Sequence, residues 1–169
     1  MFGQMQKQPL ILTLRLDDES QAFFNSQRKY YFPLERNVLD AHLMLFHQLP
    51  DAEATYDNLA AIRYEPFNLQ VTGLMNLGAG VAYRTESPEI STLHKLLRSK
   101  FLEVLIPQDL QGYRPHITIM NKSTPEKARA LIAELSAGFQ PFSIQATGLD
   151  LWTYLNGPWQ HECTYLFKS

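Results

Sequence analysis

A nine-residue motif occurs twice in this chain of 169 residues. PFNLQVTGL occupies 66–74 and PFSIQATGL occupies 141–149, with six of nine residues identical at a separation of 75 positions (141 − 66). A second feature, a histidine in a short apolar segment, recurs at His42 and His116, 74 positions apart. Because two different features share nearly one period, the sequence predicts two copies of one folding unit. Two copies are too few for a solenoid and sufficient for a two-lobed, pseudo-twofold body.

The elements predicted for the two copies follow the same order, and a C-terminal strand is added after the second. Hydrophobic periodicity and capping residues predict strand, helix, histidine strand, helix and strand in each copy. In the first copy these elements lie at 10–16, from 17, at 41–49, at 51–62 and from 66. In the second copy they lie at 80–86, at 87–101, around 116, at 124–135 and from 141. We expect a single bilobal domain over 1–169, with the repeats at approximately 10–75 and 80–150. Strand and helix alternation alone would also fit a parallel, doubly wound sheet.

Composition limits the classes of partner. The 15 Lys and Arg against 17 Asp and Glu give a net charge of -2, so no global positive field gathers long nucleic acid. Cys163 is the single cysteine, the Met1 start lacks a signal-peptide pattern, and no apolar run approaches the roughly 18 residues of a membrane span. We expect a cytoplasmic protein with a small or locally held anionic ligand, no membrane contact and no obligate protein partner.

The repeat gives the two histidines a common chemistry. Residues two apart in a strand share a face, so His116 and Thr118 point the same way, as do His42 and Met44. If a twofold axis relates the copies, two imidazoles meet at one cleft. One imidazole takes a proton from the attacking oxygen while the other protonates the leaving oxygen of a phosphate ester. The sequence has no HExxH motif or carboxylate–histidine cluster, so we expect neither metal nor cofactor.

Several segments together carry a family resemblance. They are AHLMLFHQLP (41–50), QGYRPHITIMNK (111–122), the two repeated motifs and LDLWTYLNGPW (149–159). With them the chain resembles the two-histidine (2H) phosphoesterase superfamily, in its bacterial 2'-5' RNA ligase-like branch. The resemblance implies an α+β fold of two pseudo-twofold-related lobes, built of mostly antiparallel sheet with outer helices and a central cleft. It also implies metal-independent action on 2',3'-cyclic phosphates or 2'-5' linkages of RNA ends or small nucleotides.

The resemblance assigns roles to individual residues. His42 and His116 become the acid/base pair and Thr118 binds the substrate phosphate. Met44 stands where the family pattern has Thr or Ser, and a thioether donates no hydrogen bond. The principal hypothesis is a cyclic phosphodiesterase, a hydrolase. The alternatives are a catalytically impaired protein that binds nucleotides or RNA ends, and ligation, which the acidic charge does not favour for long RNA.

Polar and aromatic residues near the motifs are further candidates. Arg114 and Lys122 flank the second histidine motif and are predicted to contact phosphate. Tyr113 precedes the motif, and Trp152 and Tyr154 alternate on one strand face. These three aromatic side chains are candidates for stacking on a nucleobase.

Overall fold

The computed structural model describes residues 8–169, and within them strands and helices alternate in two successive sets. The first set comprises β1 (Leu10–Leu16), α1 (Asp18–Tyr31), β2 (Leu43–Leu49), α2 (Glu53–Ala60) and β3 (Phe67–Asn76). The second comprises β4 (Val81–Glu86), α3 (Pro88–Phe101), β5 (His116–Met120), α4 (Pro125–Ala137) and β6 (Phe142–Tyr154), followed by β7 (Trp159–Leu166). Two short 3₁₀ helices, Leu34–Arg36 and Pro107–Leu110, were not predicted.

Side-chain caps explain where three of the helices begin. Asp17 accepts a hydrogen bond from the Ser20 amide at 3.1 Å before α1. Ser87 and Thr124 do the same for the amides three residues on, at 2.9 and 3.2 Å, and each is followed by a proline in the first turn. These side chains satisfy amides that have no acceptor inside the helix.

The strands form one antiparallel sheet in the order β1-β2-β5-β4-β3-β6-β7. Strand β6 also pairs with β1, so strands β1 to β6 form a closed ring of hydrogen-bonded neighbours. The register between β3 and β6 has the symmetry of the repeat. Replacing each residue of the pair Phe67–Ala146 by its equivalent 75 positions away gives the pair Val71–Phe142, which is also present. The predicted α+β fold with pseudo-twofold, antiparallel halves is confirmed, and the parallel alternative is wrong.

The pleat of the sheet separates a core face from a cleft face. On β2 and β5 the side chains of Leu43, Ile117 and Ile119 are fully buried in the hydrophobic core. Because neighbouring residues in a strand point to opposite faces, His42, Met44, His116 and Thr118 lie on the other face, where all four are half-buried. Burial of the aliphatic side chains therefore fixes which way the motif side chains point.

The helices cover the core face. Helix α1 packs on β5, and α4 packs on β3 and β4. Phe24 of α1 contacts Tyr83 of β4 with ring centroids 5.5 Å apart, in an edge-on geometry that aromatic pairs favour. None of the helices within residues 8–169 has the length and apolar character that a membrane crossing requires.

Candidate active site

The two histidine strands meet at the pseudo-twofold axis. Leu43 of β2 pairs with Ile117 of β5, and these residues are 74 positions apart, as the two histidines are. Extending this antiparallel register by one residue in each direction places His42 beside Thr118 and Met44 beside His116. The two histidines therefore lie diagonally across a square of four cleft-facing side chains.

The same hydrogen bond orients both imidazoles. His42 Nδ1 donates to the Asp40 carbonyl at 2.9 Å, and His116 Nδ1 donates to the Arg114 carbonyl at 2.7 Å. A carbonyl oxygen only accepts, so Nδ1 carries the proton in both rings. Nε2 of each ring is therefore the nitrogen left for proton transfer, and both histidines have the same tautomer and the same anchoring point two residues upstream.

The electrostatic surroundings of His42 favour its neutral form. Desolvation by the surrounding protein lowers the pKa of His42 from 6.5 to about 4, and electrostatic repulsion, chiefly from Arg28, acts in the same direction. The hydrogen bond to the Asp40 carbonyl opposes this shift. At neutral pH His42 is thus an unprotonated imidazole with a free Nε2 lone pair.

Helix α1 holds the segment that leads into His42. Gln21 Nε2 donates to the Ala41 carbonyl at 2.8 Å, and the Ala41 amide donates to Asn25 Oδ1 at 2.9 Å. Gln21 and Asn25 are four residues apart, so they lie on one face of the helix. This pair fixes the backbone immediately before the first histidine.

Arg28, one turn further along α1, connects both motifs. Its Nε donates to the Leu39 carbonyl at 3.1 Å and to Asn37 Oδ1 at 3.0 Å, while Nη1 donates to the Thr118 carbonyl at 3.2 Å. The residue is 4% exposed, and desolvation lowers the pKa of its guanidinium to about 10. Arg28 is a positioning residue that sequence reasoning missed, because an arginine in an amphipathic helix usually faces solvent.

A cavity of about 460 Å³ opens beside His42. Its lining includes Thr13, Trp152 and Trp159, and the Trp159 ring lies 4.5 Å from the His42 ring, centroid to centroid. Trp152 Nε1 donates to Thr13 Oγ1 at 2.9 Å. Of the two candidate stacking residues on β6, Trp152 lines this cavity and Tyr154 is not among its lining residues. Trp159 was not predicted as a site residue. The available signal was its position two residues after Gly157, in the turn between β6 and β7.

An acidic residue at the edge of this cavity is fully engaged. Asp150 accepts hydrogen bonds from Arg15 Nη1 at 3.2 Å, His161 Nε2 at 3.0 Å and Thr164 Oγ1 at 2.6 Å. Within residues 8–169 no group of three or more His, Cys, Asp and Glu side chains is arranged to hold a metal ion.

The residues that flank the second histidine motif differ in their exposure and in their contacts. The Tyr113 ring stacks on His94 at 3.7 Å, its hydroxyl donates to the Met44 carbonyl at 2.8 Å, and burial raises its pKa strongly. These contacts hold β2 in place, and stacking of Tyr113 on a nucleobase stays a prediction. Arg114 contributes its carbonyl to His116, while its side chain is exposed. Lys122 is exposed in the turn after β5, with a left-handed φ of 55°.

Solved structures with a similar fold are numerous. TT0787 of Thermus thermophilus superposes with a TM-score of 0.69 at 16% identity, covering 94% of this chain and 97% of that one. A structure of LigT of E. coli complexed with 3'-AMP gives a TM-score of 0.66 at 20% identity, covering 97% and 100%. A protein described as a phosphoesterase gives 0.67 at 19% identity, covering 97% and 100%. At such identities these likenesses establish the fold.

A search among curated proteins found no match. The family model of the 2'-5' RNA ligase superfamily, in contrast, matches residues 16–158, which include both histidine strands and most of the sheet. That match spans most of the chain, and it agrees with the fold, the repeat and the paired imidazoles described above. The chain therefore belongs to the 2'-5' RNA ligase superfamily.

Proposed function

We propose that this protein is a metal-independent phosphodiesterase acting on a 2',3'-cyclic phosphate or a 2'-5' linkage of RNA ends or small nucleotides. The observation that carries the proposal is the matched anchoring of the two imidazoles. Each Nδ1 donates to the carbonyl two residues upstream, which leaves both Nε2 atoms for the substrate. Superfamily membership supports phosphoesterase chemistry, and LigT has been crystallised with 3'-AMP, NADP+ and ATP, which supports a nucleotide ligand.

In the proposed mechanism His42 is the base and His116 is the acid. His42 Nε2 takes a proton from water as the water oxygen attacks phosphorus, and the low pKa of His42 keeps this nitrogen unprotonated. His116, entering as the imidazolium, donates its Nε2 proton to the leaving ribose oxygen as the P–O bond breaks. A phosphate monoester is formed, His42 has gained one proton and His116 has lost one. Thr118 donates a hydrogen bond to a non-bridging phosphate oxygen.

Pairs of titratable groups with different surroundings often mark acid and base. The two imidazoles share their anchoring geometry, but Arg28 and the desolvation described above act on His42. The aromatic cavity beside His42, lined by Trp152 and Trp159, is suited to the nucleobase of the substrate. The substrate phosphate would then lie over the square formed by the motif residues.

The test is hydrolysis of 2',3'-cyclic nucleotides and a 2'-5'-linked dinucleotide in EDTA by wild type, His42→Ala and His116→Ala. We expect wild-type turnover to survive chelation and to fall by about 10²- to 10⁴-fold in each histidine variant. His47→Ala is the matched control, because His47 is exposed on β2 and its ring forms a hydrogen bond with Asp109 outside the cleft. Turnover that EDTA abolishes, or that persists in either histidine variant, would refute the mechanism.

Met44 favours a second candidate, a protein that binds nucleotides or RNA ends without turnover. One hydroxyl of the expected phosphate clamp is missing, and loss of a single such donor typically costs about 10²- to 10³-fold in rate. This alternative predicts measurable 3'-AMP binding, no hydrolysis by wild type, and hydrolysis gained by Met44→Thr. Wild-type hydrolysis that needs both histidines would exclude it.

A further inference from the structure

Two arginines occupy equivalent positions on the cleft face of the sheet. Arg15 of β1 pairs with Gly148, and Arg84 of β4 pairs with Gly73, the glycine of the other repeat. Arg84 also pairs with His116 on its second side. The β1–β2 register, extended by one residue beyond Leu14–Leu43, places Arg15 beside His42 in the same way. Each histidine therefore has an arginine on the adjacent strand.

The two arginines differ in their partners. Arg15 Nη1 lies 3.2 Å from the Asp150 carboxylate, which neutralises it. The position equivalent to Asp150 in the other repeat is Met75 (150 − 75), so Arg84 has no carboxylate at this point. The Arg84 side chain is exposed and makes no hydrogen bond or ion pair with any other residue of 8–169. One of the two cleft cations is thus free to bind an anion.

The guanidinium of Arg84 lies above the neighbouring glycine. A Cβ added at Gly73 would come 3.8 Å from Arg84 Nη1, which shows that the side chain extends over β3. The next strand in the other direction, β5, is about 4.8 Å away and carries His116. Rotation about the side-chain torsions of Arg84 is sufficient to carry its guanidinium from one strand to the other.

The free cation lies in the row in which Met44 stands at the position equivalent to Thr118. Across β2, β5 and β4 one row contains Met44, His116 and Arg84, and the next contains His42, Thr118 and Ala82. The row with the Thr118 hydroxyl has no cation on β4, because Ala82 stands there. The row in which Met44 donates nothing has Arg84. Thr13 of β1, whose Oγ1 accepts a hydrogen bond from Trp152 Nε1, pairs with Met44 on its other side, so Arg84 is the cation of this row.

We propose that Arg84 is a substrate-binding residue that supplies the phosphate contact missing at Met44. Its guanidinium turns from Gly73 to the phosphate between the imidazoles and donates to the non-bridging oxygen opposite the one bound by Thr118. Arginine presents N–H donors in a planar fork that matches phosphate oxygens, and a charged donor forms the stronger bond. This inference rests on the proposed function and names a residue that binds its substrate.

The test compares Arg84→Gln, Met44→Thr and the double variant. We expect Arg84→Gln to lower kcat/KM on a 2',3'-cyclic nucleotide by about 10²-fold and to weaken binding of inorganic phosphate by about 10-fold. In the double variant the new hydroxyl replaces the lost donor, so Met44→Thr should restore about 10-fold in the Arg84→Gln background and less in wild type. Arg129→Gln, on the exposed side of α4, controls for loss of one surface charge and should change kcat/KM by less than about 2-fold.

Two readouts separate this inference from the proposed function. Phosphate binding, followed by NMR titration of the histidine signals, requires no turnover. Wild type that binds phosphate but hydrolyses nothing, with affinity lost in Arg84→Gln, would refute the function and support the inference about Arg84. Turnover that needs both histidines but is equal in Arg84→Gln and Arg129→Gln would refute Arg84 alone. Equal effects of Met44→Thr in both backgrounds would also overturn it, because the two donors would then serve different oxygens.

Discussion

Acidification should destabilise the fold because His42 binds a proton more readily in the unfolded chain than in the folded one. A non-titrating side chain at position 42 should remove this part of the destabilisation. The pKa of His42 is about 4 in the folded protein, against an ordinary value of 6.5. Between these values the unfolded chain binds a proton that the folded chain does not. The contribution to stability is therefore complete above pH 6.5 and is lost as pH falls from 6.5 towards 4.

The magnitude follows from the lowered pKa. A pKa difference of 2.5 (6.5 − 4), at about 1.36 kcal/mol for each pH unit, gives at most about 3 kcal/mol. Because the ring is only half-buried and water screens part of the effect, we expect about 2 kcal/mol between pH 7.5 and 4.5.

The assay is urea unfolding of wild type and His42→Gln at both pH values, followed by circular dichroism. Glutamine retains polar atoms and does not titrate, so the carboxylates and the other histidines cancel in the comparison. Wild type should lose about 2 kcal/mol more of its free energy of unfolding than His42→Gln does on acidification. Equal losses in the two proteins, with an NMR titration placing the pKa of His42 near 6.5, would refute this reasoning about its desolvation.

Two further changes test the framework around the site. Arg28→Met removes the donors to three half-buried acceptors and should lower the free energy of unfolding by about 2 to 4 kcal/mol in urea titration. A loss below about 0.5 kcal/mol would contradict the role described for Arg28. Gly148→Ala and Gly73→Ala form a matched pair of variants. A Cβ at Gly148 would lie 2.5 Å from the Tyr165 carbonyl oxygen, so Gly148→Ala should lower the free energy of unfolding by about 1 to 3 kcal/mol. A Cβ at Gly73 has room, so Gly73→Ala should leave the free energy of unfolding nearly unchanged or raise it slightly. Equal midpoints for the two alanine variants would refute this steric account.

The repeat and local capping made the order of the elements predictable, and the family resemblance implied their antiparallel arrangement. The Thr124-Pro125 signal predicted the start of α4, which begins at Pro125. Strand β2 was predicted from residue 41 but begins at Leu43, because Asn25 and Gln21 of α1 occupy the amide and carbonyl of Ala41. Such side-chain competition for backbone groups depends on tertiary packing, which local sequence does not encode.

The histidines could be predicted because they recur with the period of the chain, whereas their neighbours could not. Arg28, Arg84 and Trp159 come next to the motif residues through a helix face, a strand register and a hairpin end. Finding them requires knowledge of which residues oppose one another across strands. Arg84 has an equivalent arginine in the other copy, Arg15, but the two are 69 positions apart (84 − 15) and not 74 or 75, so the period of the motifs carried no signal for it.

The proposed reaction needs two imidazoles in the same geometry but in different protonation states. A twofold arrangement supplies the common geometry, since each ring is anchored to the carbonyl two residues before it. Strict symmetry would also give both rings the same proton affinity, which is unsuited to transfer from one side of phosphorus to the other. The departures from symmetry lie in the surroundings: Arg28 acts on His42, Asp150 neutralises Arg15, and Arg84 stays unpaired beside His116. In the proposed mechanism the repeat positions the two imidazoles, and the residues that break the repeat give His42 and His116 their different roles.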